Sequence, residues 1–115
     1  MHQLQVHLVW STKYCYQVLQ GEVQLRCREL IRQTCNALDV QILKGVVSKD
    51  HIHLHVSYLP SLSVSDLVRR LKGRSAKLLL QEFPELKRRY WAGPPVGRSF
   101  LGDWLWGLER RVDHG

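Results

Sequence analysis

Several things are scarce or missing in this sequence, and each absence removes a class of protein. There are three cysteines, Cys15, Cys27 and Cys35, an odd number with no Cys-x-x-Cys pair. That argues against a disulfide scaffold and against a cysteine-ligated zinc site. No apolar run approaches the ~20 residues needed to cross a bilayer. The start, Met1-His2-Gln3-Leu4-Gln5, has neither the basic residues nor the apolar stretch of a signal peptide. A cytoplasmic protein without membrane contact is therefore expected. Acidic residues are few: 10 against 17 Lys and Arg, for a formal net charge of +7. Such an excess in a small domain favours a polyanionic partner, although a solvated basic helix face would give the same count. There is no internal repeat and no low-complexity tract.

What is present is the composition of one folded domain. The chain has 115 residues, 44% of them hydrophobic and spread along its length. From Gln3 to Trp10 the pattern alternates, with Leu4, Val6, Leu8 and Trp10 on one side and Gln3, Gln5 and His7 on the other, as in a half-buried strand. Between Glu22 and Leu38 the period becomes helical, and Cys27 and Cys35 fall on the apolar stripe as buried thiols. Val40 to Val47 and His51 to Tyr58 read as a hairpin turning at Ser48-Lys49-Asp50. Ser63 with Asp66 three positions on fits a helix start. The apolar stripe of that helix is interrupted by Ser75. Arg70, Arg74 and Lys77 share one flank of it, and Arg69 and Lys72 line the other. Residues 98 to 115 hold Trp104 and Trp106 but show no period. The order strand, helix, strand, strand, helix predicts an α+β fold: an antiparallel sheet with two helices on one face, ferredoxin-like in its simplest topology.

The run His51-Ile52-His53-Leu54-His55-Val56 is the most informative. Residues two apart in a strand share a face, roughly 6.5–7 Å apart, so neighbouring imidazoles can converge on one ion. Asp50 could orient one of these rings. Solvated polar histidines are the bland alternative, and three of them after an aspartate in a basic chain balance the two readings.

The segment Val46-Val47-Ser48-Lys49-Asp50-His51-Ile52-His53-Leu54 resembles the HUH strand (two His flanking one apolar residue) of the single-tyrosine transposases of small insertion sequences. Val9-Trp10-Ser11-Thr12-Lys13-Tyr14 is similar to the family's first strand and its exit. Ser63 to Ser75 resembles its second helix, and Phe83-Pro84-Glu85-Leu86 with Arg89-Tyr90-Trp91 the connection that follows. The likeness covers about residues 4 to 91. It implies a transposase that cleaves and rejoins single-stranded DNA through a phosphotyrosine. His51 and His53 would be its metal ligands, for Mg²⁺ or Mn²⁺. Partners would be single-stranded or hairpin DNA and a second copy of the chain in a homodimer. Arg69, Arg70, Lys72, Arg74 and Lys77 are the expected phosphate contacts. His55 stands where the family more often has an apolar residue, which leaves open a three-histidine site. Cys15 replaces a usual basic residue, which would weaken DNA contact there.

The family's nucleophilic tyrosine, and the glutamine four residues after it that serves as third ligand, have no counterpart. The tyrosines are Tyr14, Tyr16, Tyr58 and Tyr90, and no glutamine follows Gln81. The expected organisation is therefore a transposase-like domain over residues 1–91 and a divergent tail over 92–115 lacking the tyrosine helix. With one choice of codons for Gly102 to Val112, a one-nucleotide shift yields a string like the segment that precedes that helix in the family. The tail is accordingly expected to be out-of-frame sequence, and this copy to be cleavage-defective. Two further readings stay open: a non-catalytic protein that binds single-stranded or hairpin DNA, and a hydrolase using His51, His53 and His55. The second has only Asp50 nearby as a base.

Overall fold

Residues 3–86 and 105–114 are described in the computed structural model of the chain. Alternation decides its sheet. In β1 (Leu4–Thr12) Val6, Leu8 and Trp10 are buried, while Gln5, His7 and Val9 lie on the other side. In β3 (His51–Tyr58) Ile52, Leu54 and Val56 are buried, and His51 and His53 are exposed. The two strands are antiparallel neighbours, with Leu8 opposite Leu54 and Val9 opposite His53. Their apolar rows therefore share one face and their polar rows the other. β2 (Gln41–Val47) completes the hairpin with β3, closed by Ser48 N–H donating to His51 O at 2.8 Å.

Two helices cover the apolar face. α1 (Gly21–Ala37) buries Cys27, Leu30, Ile31, Thr34 and Cys35, and α2 (Val64–Glu82) buries Leu67, Val68, Leu71, Ala76, Leu79 and Leu80. Ser63 caps α2, its Oγ accepting from Asp66 N–H at 3.1 Å, an interaction that stabilises by ~1 kcal/mol. Each large apolar side chain removed from water contributes ~1.5–3 kcal/mol, so this shared core dominates the stability. Burial pushes the Cys27 thiol up to about 12 and that of Cys35 up to about 11, which keeps both neutral and unreactive.

The last strand was not foreshadowed by any sequence period. β4 (Trp106–His114) pairs antiparallel with β1, with Val9 opposite Arg110. The resulting order β2-β3-β1-β4, antiparallel throughout, is the ferredoxin-like βαββαβ arrangement. Side-chain anchoring, rather than alternation, holds β4 in place. Leu105 and Trp106 are buried. The Trp106 indole N–H donates to Ser75 Oγ at 3.0 Å and to Lys72 O at 3.1 Å. Ser75, the residue that interrupts the apolar stripe of α2, thus receives the indole while its own hydroxyl donates to Leu71 O at 2.6 Å. Among the described residues no helix is long and apolar enough to cross a membrane.

Candidate metal and nucleic-acid site

The turn before the histidine strand is fixed by the chain that surrounds it. Thr12 N–H donates to Asp50 O at 2.8 Å, and Leu19 N–H donates to Lys49 O at 2.9 Å. The Thr12 hydroxyl donates to Tyr16 O at 2.6 Å. So placed, Asp50 Oδ1 lies 2.9 Å from His51 Nδ1. A carboxylate on Nδ1 fixes ring and tautomer and leaves Nε2 as the free donor nitrogen. His53 follows on the same open face.

His55 is placed differently from its two neighbours. It is half-buried, stacks on His7 with ring centroids 3.9 Å apart and planes at 12°, and sets Nε2 3.2 Å from Gln5 Oε1. His7 is a residue that the sequence reading missed. It lies opposite His55 in β1, and its Nδ1 is 3.4 Å from Nε2 of His53. Alternation puts His7 on the polar side of β1, but only the β1–β3 register carries it to the histidine strand. Among the described residues no group of three or more His, Cys, Asp or Glu side chains comes together to hold a metal ion. Two imidazoles with a carboxylate behind one of them nevertheless suit a divalent ion whose other positions are filled by water or phosphate oxygen.

Of the expected phosphate contacts, Arg69, Arg70, Arg74 and Lys77 are exposed on α2. They project from the helix layer, on the opposite side of the sheet from the histidines. Arg70 and Arg74 line a hollow with Thr34, Ala37 and Leu38 at the C-terminal end of α1, where the helix dipole favours cations. Arg74 Nη2 donates to Gln33 Oε1 at 3.1 Å. The arginines of α1 are neutralised in part, Arg26 by Glu82 and Arg32 by Glu29. Among the described residues the four exposed cations of α2 form no ion pair.

Lys72 corrects the expectation of an open flank. It is 8% exposed, its ammonium donates to Gly107 O at 2.8 Å, and Glu109 Oε1 lies 3.8 Å away. The flank it occupies is the one β4 covers, so its ammonium meets that strand and not solvent. β4 supplies two cations instead. Arg110 lies opposite Val9 on the open face, in the row that continues to His53, and Arg111 reaches Ser65 Oγ at 3.4 Å on the helix side.

None of the described tyrosines stands out as a nucleophile. Tyr58 is buried, Tyr14 and Tyr16 are exposed and pack edge-on with centroids 5.6 Å apart. Tyr90 and residues 92 to 104 lie outside the described residues.

Fold and site together are those of a small α+β domain with an ordered histidine strand on an open sheet face, and the comparisons with known proteins converge on transposases. Residues 1–101 match the family model described as Transposase IS200 like. The chain is 36% identical over 93 residues to the ISDra2 transposase TnpA of Deinococcus radiodurans, covering 81% of this chain and 66% of that protein. It is 34% identical over 84 residues to the transposase for insertion sequence element IS200 of Salmonella typhimurium, covering 73% and 55%. Among solved structures, a candidate transposase from Deinococcus radiodurans R1 superposes with a TM-score of 0.79 at 28% identity, over 100% of this chain and 82% of that one. A REP-associated tyrosine transposase bound to a REP hairpin shares the fold, with a TM-score of 0.62 at 14% identity over 96% and 56% of the two chains. The chain belongs to the IS200-like transposase family. It spans roughly half to two thirds of the length of the curated relatives that it matches.

Proposed function

We propose that this chain binds single-stranded or hairpin DNA in the cytoplasm together with a divalent ion, Mg²⁺ or Mn²⁺, held by His51 and His53. The observation that carries the reading is the Asp50–His51 pair beside His53 on one open sheet face, in a member of a transposase family. Asp50 orients His51, and His53 supplies the second nitrogen. A bound ion would polarise a phosphodiester and stabilise charge developing on its oxygens. Arg69, Arg70, Arg74 and Lys77 hold phosphates on the helix side. Arg111 and Arg110 continue the basic path around the β4 edge toward the histidines, while Lys72 acts in folding. A protein of the same fold bound to a REP hairpin supports hairpin DNA as the probe.

No tyrosine follows Tyr90 and no glutamine follows Gln81. We therefore assign binding without strand cleavage to these 115 residues. A homodimer is part of the proposal. The edge strand β2 presents Leu43 and Val46, each 43% exposed, and pairing between copies would cover that edge.

The experiment mixes labelled single-stranded hairpin DNA with the chain and Mn²⁺. Retardation in a native gel that weakens steeply with salt is expected, because released counterions drive phosphate binding. No protein-linked band should survive denaturing electrophoresis. Equal Mn²⁺ binding by the wild type and His53→Ala would remove the metal assignment, and a covalent band would remove the binding-only one.

A further inference from the structure

We propose that His7 and His53 form a chelating site for Zn²⁺, distinct from the His51–His53 pair. The two nitrogens that would ligate it, His7 Nδ1 and His53 Nε2, are 3.4 Å apart. A tetrahedral zinc ion with Zn–N bonds of about 2.0–2.1 Å needs its donor nitrogens about 3.3–3.4 Å apart. That separation is long for a hydrogen bond and right for a shared metal. The ring centroids are 5.6 Å apart and the planes are tilted by 48°.

The His7 donor is held from behind, and strand register sets both positions. They stand on adjacent antiparallel strands whose register is continuous from Leu4 to Ser11. His55 stacks against the ring of His7, and Gln5 Oε1 lies 3.2 Å from His55 Nε2. Little rearrangement is needed to bind, which favours affinity. The pair faces the open side of the sheet, since His53 is exposed and His7 half-buried, so water can fill the remaining positions. Two neutral imidazoles select zinc over Mg²⁺ and Mn²⁺, which prefer oxygen donors. His51 is turned to a different partner, with its Nδ1 on Asp50.

Nε2 of His53 can ligate one ion at a time. Zinc at His7–His53 therefore excludes an ion that uses this nitrogen in the His51–His53 pair, and zinc becomes an inhibitor of Mn²⁺ binding. This consequence rests on the proposed function; the zinc site itself does not.

The test is calorimetric titration of the full chain with Zn²⁺ in a Cys15→Ser background, which removes the exposed thiol as a ligand. Loss of a residue that merely orients a ligand lowers metal affinity about 10–100-fold, so His7→Ala should weaken zinc binding at least about tenfold. His51→Ala should leave it within about threefold, and circular dichroism melts establish that each variant is folded. Long-range ¹H–¹⁵N spectra of the parent protein give a readout free of substitution at the histidines: zinc should move His7 Nδ1 and His53 Nε2 and leave both His51 nitrogens in place. Unchanged affinity in His7→Ala, or zinc shifts on His51 in place of His7, overturns the proposal. Release of the Mn²⁺ resonance signal on adding zinc tests the exclusion separately. Failure of Mn²⁺ to bind at all would remove the proposed function while the zinc isotherm still decides the zinc site.

Discussion

The two faces of the sheet are built from the same strands and differ in almost everything else. On the covered face Val6, Leu8, Trp10, Ile52, Leu54 and Val56 are all nearly inaccessible and packed under two helices. On the open face the alternate residues are His7, Val9, His51 and His53, joined at the edge by Arg110. Burial of the first row provides the free energy that holds the backbone. The second row adds little to stability, but it inherits the positions that the first row enforces. A strand whose register is locked by one face presents fixed donors on the other, which is what metal and phosphate binding need.

The contrast can be broken most strongly at the junction of sheet and α2. Trp106→Ala removes the indole that meets Trp10 edge-on at 6.0 Å and bonds Ser75 and Lys72. A loss of about 3–5 kcal/mol is expected in urea unfolding, and a loss under about 1 kcal/mol would show that β4 is not anchored this way. Next comes Leu54→Ala on the covered face, expected to cost about 2–5 kcal/mol by the same measurement.

Lys72 and Arg70 offer the comparison on a single helix. Lys72→Met leaves Gly107 O without its charged donor and should cost about 1.5–3 kcal/mol. Arg70→Ala on the exposed flank should stay within about 0.5 kcal/mol while lowering the salt dependence of DNA binding. The reverse ranking would return Lys72 to the surface.

The buried thiols give a smaller effect that depends on pH. Burial raises Cys27 from 9.0 to about 12 and Cys35 from 9.0 to about 11. Above pH 9 the unfolded chain releases these protons and the native one retains them. The stability that the neutral thiols contribute is thus fully present below pH 9 and is lost as pH rises toward the folded values. Each thiol should contribute a slope of about 1.4 kcal/mol per pH unit there. Chemical denaturation at pH 8 and pH 10 should show a shallower decline for Cys27→Ala than for the parent protein, and equal declines would contradict it. The smallest expected effect on stability is that of His53→Ala, within about 0.5 kcal/mol, beside the abolition of metal binding. A large drop in its melting temperature would mean that the open face does carry stability.

Local pattern determined much of this protein. Residues two apart share a face in any strand, so His51 and His53 had to stand together once Ile52 and Leu54 went into the core. Likewise the helical stripe around Cys27, Leu30 and Ile31, the Ser63 cap and the hairpin turn at Ser48 are decided within a few residues. What tertiary structure decided lies where distant segments meet. Arg110 and Arg111 are adjacent cations that no periodic pattern marks as strand, and β4 exists because β1 offers it an edge and Ser75 a partner for Trp106. Lys72 reads as one more cation of a basic helix until β4 closes over it. His7 lies 46 residues before His53, and nothing local to either reveals their approach. Periodicity records which way a side chain points, whereas which other side chain it meets depends on strand register, and register is set by the whole core.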